Sequence, residues 1–209
     1  IVNYIHPMKK LILITTLFFS SFFLFSQDNS KKKYLVNTIA FYNVENLFDT
    51  INDPKTWDDD RTPKGKDRWT SIIYKKKLKN IARVIADIGS DLTNSAPSII
   101  GLCEIENKTV LNDLIKTKAL ENENYGIIHY DSPDERGIDV AMLFKKNRFS
   151  PVSSKTYPLY LSKKNGTIDY TRDHLLVSGN LDKDPIHFII NHWPSMIFYF
   201  FFYYFIKFT

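Results

Sequence analysis

The sequence predicts an α/β chain, a layered sandwich built on a mixed sheet, and three observations carry that expectation. A β-rich segment, residues 37–44, is followed by apolar residues recurring at helical spacing. "SIIGLC", residues 98–103, is short and almost wholly apolar, the pattern of a strand buried on both faces. A second helical stretch and a run of strand patterns follow it, an order that suits helices layered on a sheet.

"NTIAFYNV" (37–44) is rich in β-formers and reads as the first strand. The stretch 53–67 is polar, with two prolines and the run Asp58, Asp59 and Asp60, and reads as a solvated loop. The run could hold Ca²⁺, but it lacks the glycine and spaced ligands of an EF-hand loop. Beyond Trp69 and Thr70, the residues Leu78, Ile81, Val84, Ile85 and Ile88 line one helical face, and Gly89 supplies a stop. A second helix is expected over Val110 to Ile115. Strands are expected at 125–130, 138–144, 174–181 and 186–193.

The 209 residues are 44% hydrophobic and 15% aromatic, enough for one sizeable core and too few for two independent ones. The formal net charge of +5 comes without a dense Lys/Arg stripe, so charge alone does not mark a nucleic-acid binder. Lys31 to Lys33 read as part of a solvated linker over 27–36. The single cysteine, Cys103, has no partner within the chain and sits in an apolar run as a small buried hydrophobe.

From Met8 the chain reads Lys9, Lys10, an apolar stretch from Leu11 to Phe25, then Ser26, which is the order of a secretory signal. Residues 1–7 read as upstream read-through. The apolar run is shorter than the roughly 20 residues a membrane span needs, so export to a secreted or periplasmic location is expected, with no stable span after cleavage. Cleavage after Ser26 would remove Lys9 and Lys10 and take the charge from +5 to +3.

Polar groups gather where strands should leave the sheet: Asn43 after the first, Glu104 after the buried one, and Asn191 and His192 after the last. A carboxylate and an amide oxygen on neighbouring strands could form an oxygen-ligand site for Mg²⁺. The alternative is an exposed turn in which Glu104 and Glu106 simply precede a helix.

Five segments in this order, "FYNVENLFD" (41–49), "IIGLCEIEN" (99–107), "RGIDVAMLF" (136–144), "TRDHLLV" (171–177) and "NHWPS" (191–195), resemble the endonuclease/exonuclease/phosphatase superfamily, and most of all its secreted bacterial members. The resemblance spans about residues 37–195. It implies a layered α/β sandwich of the deoxyribonuclease-like type and phosphoester hydrolysis with Mg²⁺ or Mn²⁺. It makes Glu104 the metal-binding carboxylate and Asn43 the amide beside metal and phosphate. His192 resembles the histidine that bonds the scissile phosphate or assists proton transfer. Arg172 is a phosphate contact by the same resemblance, or else a salt-bridge partner of Asp173 or another acid. Glu106 is expected behind the metal ligand or at the helix start, and Glu45 on the face of Asn43 if the strand continues. Asp139 is expected to be structural, and His129 and His187 to be core or surface residues.

The family pattern would continue beyond 195 to a Gly-Asp-x-Asn strand end and an Asp-His pair. In their place stands an aromatic tail, residues 196–209. The second half of the sandwich is therefore expected to be incomplete, leaving the first sheet uncovered and this chain inactive. The expected activity of the parent is phosphodiester hydrolysis, with nucleic acid as the substrate. The alternatives are a phosphomonoesterase, a phospholipid-headgroup phosphodiesterase, or a non-catalytic remnant or binding protein. Oligomeric state is not legible in the sequence.

Overall fold

The computed structural model describes residues 35–193. Its elements belong to one unit that begins at Val36. The signal segment, most of the 27–36 linker and the 196–209 tail lie outside the described residues.

Strand β1 spans Ile39–Leu47 and is followed by a short 3-10 turn, Asp59–Arg61. Helix α1 (Ser71–Asp87) and a single helical turn α2 (Ser90–Thr93) lead into β2 (Ile99–Ile105). Helix α3 (Lys108–Ile115) precedes β3 (Tyr125–His129), β4 (Asp139–Lys145) and β5 (Phe149–Tyr157). The two-residue strands β6 (Leu161–Ser162) and β7 (Ile168–Asp169) form a small ribbon before β8 (His174–Leu181) and β9 (Asp184–Ile190).

One mixed sheet has the order β1-β2-β4-β3, with β1 and β2 parallel and the other pairs antiparallel. A second, antiparallel sheet has the order β5-β8-β9. The alternation of side chains along β2 and β4 divides the core in two. Ile100, Leu102, Ala141 and Leu143 face the helices and meet Leu78, Ile81 and Ile85 of α1 and Val110, Leu111 and Leu114 of α3. Ile99, Cys103, Val140 and Met142 face the other way, onto Phe149, Leu175, Val177 and Ile190 of the second sheet. Helices, sheet and sheet are therefore stacked as layers, the deoxyribonuclease-like α/β sandwich.

The expected exposure of the first sheet is corrected by this second sheet. It covers the face of β2 and β4, because β5 supplies Phe149 and β8 supplies alternating Leu175 and Val177. On strands that end the two larger sheets, exposed apolar residues include Ile39 and Phe41 on β1, Val152 on β5 and Ile189 on β9. Strand β5 is missing from the sequence-based expectation because "FSPVSSKTY" is mostly exposed and polar. Its Pro151 sits at a register shift, where no ladder hydrogen bond is needed.

Helix α1 stops as its sequence requires. The backbone N–H of Ile88 closes the last turn on the Val84 carbonyl, and Gly89 takes a left-handed φ of 68°. A Cβ there would also lie 2.4 Å from Thr38 Oγ1, so glycine is needed twice over. At the start of α3, the Asn107 side chain accepts hydrogen bonds from the backbone of Thr109 and Val110, giving a side-chain N-cap that brings Glu106 to the helix mouth.

Candidate active site at the strand ends

Strands β1 and β2 lose their regular register at the same level. Pairing is interrupted between Asn43 and Leu47 on one strand and between Cys103 and Ile105 on the other. The residues inside these breaks take left-handed backbone: Glu45 at φ 57°, Asn46 at 62° and Glu104 at 64°. Each non-glycine residue held there costs about 1 to 2 kcal/mol, and such strain collects where side chains must be re-aimed. The result is a change of face. Glu104 leaves the alternation of a strand that is otherwise buried, and stands half-buried at the edge of a cleft.

Three of the sequence-predicted residues meet here. Asn43 Nδ2 donates to Glu104 Oε1 over 3.0 Å, and His192 Nε2 lies 3.5 Å from the same oxygen. Asn43 Oδ1 accepts from the backbone N–H of Glu45 at 2.8 Å, which fixes the orientation of the amide. Asn43 Oδ1, the expected metal donor, thus gives one lone pair to the bulge and keeps a second, while its NH₂ group orients the carboxylate. The expectation for Glu45 is corrected, because the bulge turns it away from the face of Asn43. Its side chain is exposed, and its carbonyl accepts from Lys77 Nζ at 2.6 Å.

His192 stands two residues past the end of β9. Burial and the neighbouring Arg172 guanidinium lower its imidazole below the usual histidine range, against the opposing pull of Glu104. The ring therefore favours the neutral form near neutral pH, able to accept a proton. Its buried Nδ1 has no hydrogen-bond partner among the described residues.

Arg172 is 6% exposed and Asp134 5%. Arg172 Nη1 pairs with Asp134 Oδ2 at 3.2 Å, and its Nε donates to the His192 carbonyl at 2.7 Å. Two of the three guanidinium nitrogens are thus engaged inside the protein, which matches the salt-bridge alternative for Arg172 and makes it a strut that holds the backbone of His192. Its acid partner is Asp134, not Asp173. Sequence reasoning missed Asp134, whose only signal was its place in the turn-like "SPDERG".

The cleft that holds Asn43, Glu104, Arg172 and His192 measures about 480 Å³ and is also lined by Trp57, Arg136 and Tyr170. Beside it lies a cleft of about 780 Å³ with Asp49, Asp53, Glu106 and Asp139 among its walls. Glu106 accepts a hydrogen bond from the Asp49 backbone. Burial, followed by the charges of Asp49, Asp58 and Asp53, pushes its carboxyl up to about 8. Asp58 is 1% exposed and accepts from the backbone of Asp53 at 2.9 Å, with its Oδ1 left unpartnered among the described residues. The solvated-loop expectation for the Asp58 to Asp60 run is therefore corrected for Asp58. It folds inward to hold the loop, whereas Asp59 and Asp60 are exposed.

His129 is no isolated residue. Its Nε2 lies 3.0 Å from Asp139 Oδ2 and its Nδ1 3.8 Å from Asp131. Asp139 also accepts from the Ser132 backbone at 2.9 Å and from the Ser132 hydroxyl. These bonds tie β3 and β4 to the loop that carries Asp134. His187 lies on the exposed surface of the second sheet, where its Nδ1 is 2.7 Å from the Ser178 hydroxyl. Cys103 is buried, and burial pushes its thiol up to about 12.

One carboxylate, Glu104, fits a hard divalent cation that keeps most of its waters and is completed by substrate phosphate. Its Oε1 is oriented by Asn43 and His192, which leaves Oε2 as the donor for such an ion. Among the described residues no helix is long and apolar enough to cross a membrane.

Several solved structures are similar. A Bacteroides thetaiotaomicron protein of the endonuclease/exonuclease/phosphatase family is 16% identical over 73% of this chain and 48% of its own, with a TM-score of 0.40. The mannosyl-6-phosphatase of B. thetaiotaomicron VPI-5482 is 16% identical over 74% of this chain and 49% of its own, at 0.39. A humanized D. rerio TDP2 carrying 14 mutations is 14% identical over 72% of this chain and 44% of its own, at 0.39. The chain spans under half the length of each. No curated protein matches it. Residues 38–198 match the Endonuclease/Exonuclease/phosphatase family, and the chain belongs to that family.

Proposed function

We propose that this chain is part of a divalent-metal-dependent phosphodiester hydrolase that acts on nucleic acid. The observation that carries the proposal is the convergence of Asn43 and His192 on one oxygen of Glu104 at the ends of three strands. In this reading Glu104 holds Mg²⁺ or Mn²⁺, whose contribution when bound is to neutralise charge on the phosphoryl oxygens. Asn43 keeps the carboxylate aimed at the cleft. His192, neutral and fixed by Arg172, bonds the phosphate or takes a proton through Nε2. Arg172 acts through His192, and Asp134 acts through Arg172. The charged, apolar and small-residue order of 8–26 supports export of the parent protein.

Mn²⁺ titration followed by electron paramagnetic resonance tests the metal assignment directly. One weak site is expected in residues 1–209, and Glu104→Gln should remove it. Unchanged Mn²⁺ binding in that variant would sink the assignment. Hydrolysis by the parent of an oligonucleotide, in preference to a sugar phosphate or a phospholipid, would support the nuclease reading.

A further inference from the structure

The cleft at Glu104 opens past Trp57, and this residue lines that cleft and two others. Its indole is largely free, at 68% exposed for the residue, while its backbone N–H is pinned to the Glu135 carbonyl at 2.9 Å. Tyr170, half exposed, lines the Glu104 cleft as well. An exposed indole on a fixed backbone is a stacking platform that loses little conformational freedom when a ring settles on it.

The two clefts beyond Trp57 differ in charge. The larger carries Asp49, Asp53, Asp131 and Glu135 with Lys55. The smaller, about 240 Å³, is lined by Arg61, Lys66 and Arg136 together with Asp60 and Asp67. Arg61 is paired with Asp67 at 3.1 Å, and Arg136 lies 3.5 Å from Asp134, but both arginines stay partly open to solvent. Arg136 borders the Glu104 cleft and the smaller cleft alike. A chain of phosphates leaving Glu104 and His192 would be repelled on one side and attracted on the other, and the attractive route passes Arg136 and Trp57.

We propose that Trp57 and Arg136 form a subsite for single-stranded nucleic acid, with a base stacked on the indole and the following phosphates led toward Arg61 and Lys66. The inference rests on the phosphodiesterase reading and names its substrate class. A sugar monophosphate carries one anionic group and would leave the basic cleft behind Trp57 without a use. A duplex keeps its bases stacked on one another and cannot offer one to the indole, whereas a single strand can.

The test is fluorescence anisotropy of a labelled oligothymidylate of about twelve nucleotides, titrated with the chain in EDTA so that no cleavage intervenes. Trp57→Ala should weaken binding about 5- to 150-fold, the range of base–aromatic stacking, and Trp57→Phe should recover most of it. Arg136→Ala should weaken binding and lower the slope of log K against log salt by about 0.7 for a lost phosphate contact. Because Trp57 and Arg136 are exposed, thermal melts of the variants should match the parent chain.

No binding by the parent chain, equal binding by Trp57→Ala, or equal competition by duplex DNA or by mannose 6-phosphate would each overturn the subsite. Failure of the metal reading is seen separately. Glu104→Gln should still bind the oligonucleotide in EDTA, so unaltered Mn²⁺ binding in that variant would overturn the metal site and leave the subsite result standing.

Discussion

Asn43 Nδ2 and Glu104 Oε1 are 3.0 Å apart although 61 residues separate them in the chain, and both lie at breaks in the ladder between β1 and β2. The parallel pairing brings the two strand ends together, and the left-handed backbone at Glu104 turns its carboxylate toward the amide. Asn43→Asp would place a second carboxylate against Glu104. In EDTA this variant should melt below the parent chain, by the equivalent of about 1 kcal/mol or more for the lost hydrogen bond and added repulsion. Added Mn²⁺ should raise its melting temperature by more than it raises the parent's. An equal Mn²⁺ shift in both proteins would mean that residue 43 does not face the ion, and no shift in either would argue against a metal at Glu104.

Asp134 and Arg172 form a buried ion pair, and removing one partner strands the other charge. Asp134→Ala or Arg172→Ala should each lower stability by about 3 to 5 kcal/mol in urea denaturation. The double variant should lose less than the sum of the two, since no orphaned charge remains. Additive losses would mean that the pair is not coupled.

Glu106 links stability to pH. Its carboxyl is near 4.5 ordinarily and about 8 in the folded chain, so the folded state holds a proton that the unfolded state gives up. Stability is fully kept below about pH 4.5 on this account, and falls as pH rises through about 8. His192 and His174 are lowered instead and act with the opposite sign below their ordinary 6.5, so the clean window is pH 6.5 to 8. Denaturation midpoints should decline across that window, and Glu106→Gln should flatten the decline. A slope that persists in the variant would place its origin elsewhere.

Ile39 on β1 and Ile189 on β9 expose apolar side chains on strands that end their sheets. Such edges invite pairing with another chain. Ile39→Lys with Ile189→Lys should shift light scattering toward the monomer while changing stability by under about 0.5 kcal/mol, as exposed positions do. By contrast Leu102→Ala, fully buried between β2 and the helices, should cost about 2 to 5 kcal/mol. A chain that is already monodisperse without the lysines would show that these edges are harmless.

The sequence by itself determined the helix-on-sheet layer, whereas the second sheet that covers the other face of β2 and β4 emerged only in the fold. Period and composition fix where β1, α1, β2, α3, β4 and β8 lie, because each must bury one face or both, and burial is written locally as spacing. Gly89 and Asn107 mark helix ends for reasons confined to a few neighbouring residues. The ordered motifs also determined the family and the cluster of Asn43, Glu104 and His192. Tertiary structure alone decided what those side chains do. The orientation of the Asn43 amide depends on a bulge that the strand pattern does not encode, and the partner of Arg172 is an aspartate 38 residues away in a loop. Asp58 looked like one of three solvated acids until the loop folded over it, and Trp57 became notable only where three clefts met. Hydrogen-bond geometry and charge neighbourhood are properties of residues distant in the chain, so they form only when the sheets do.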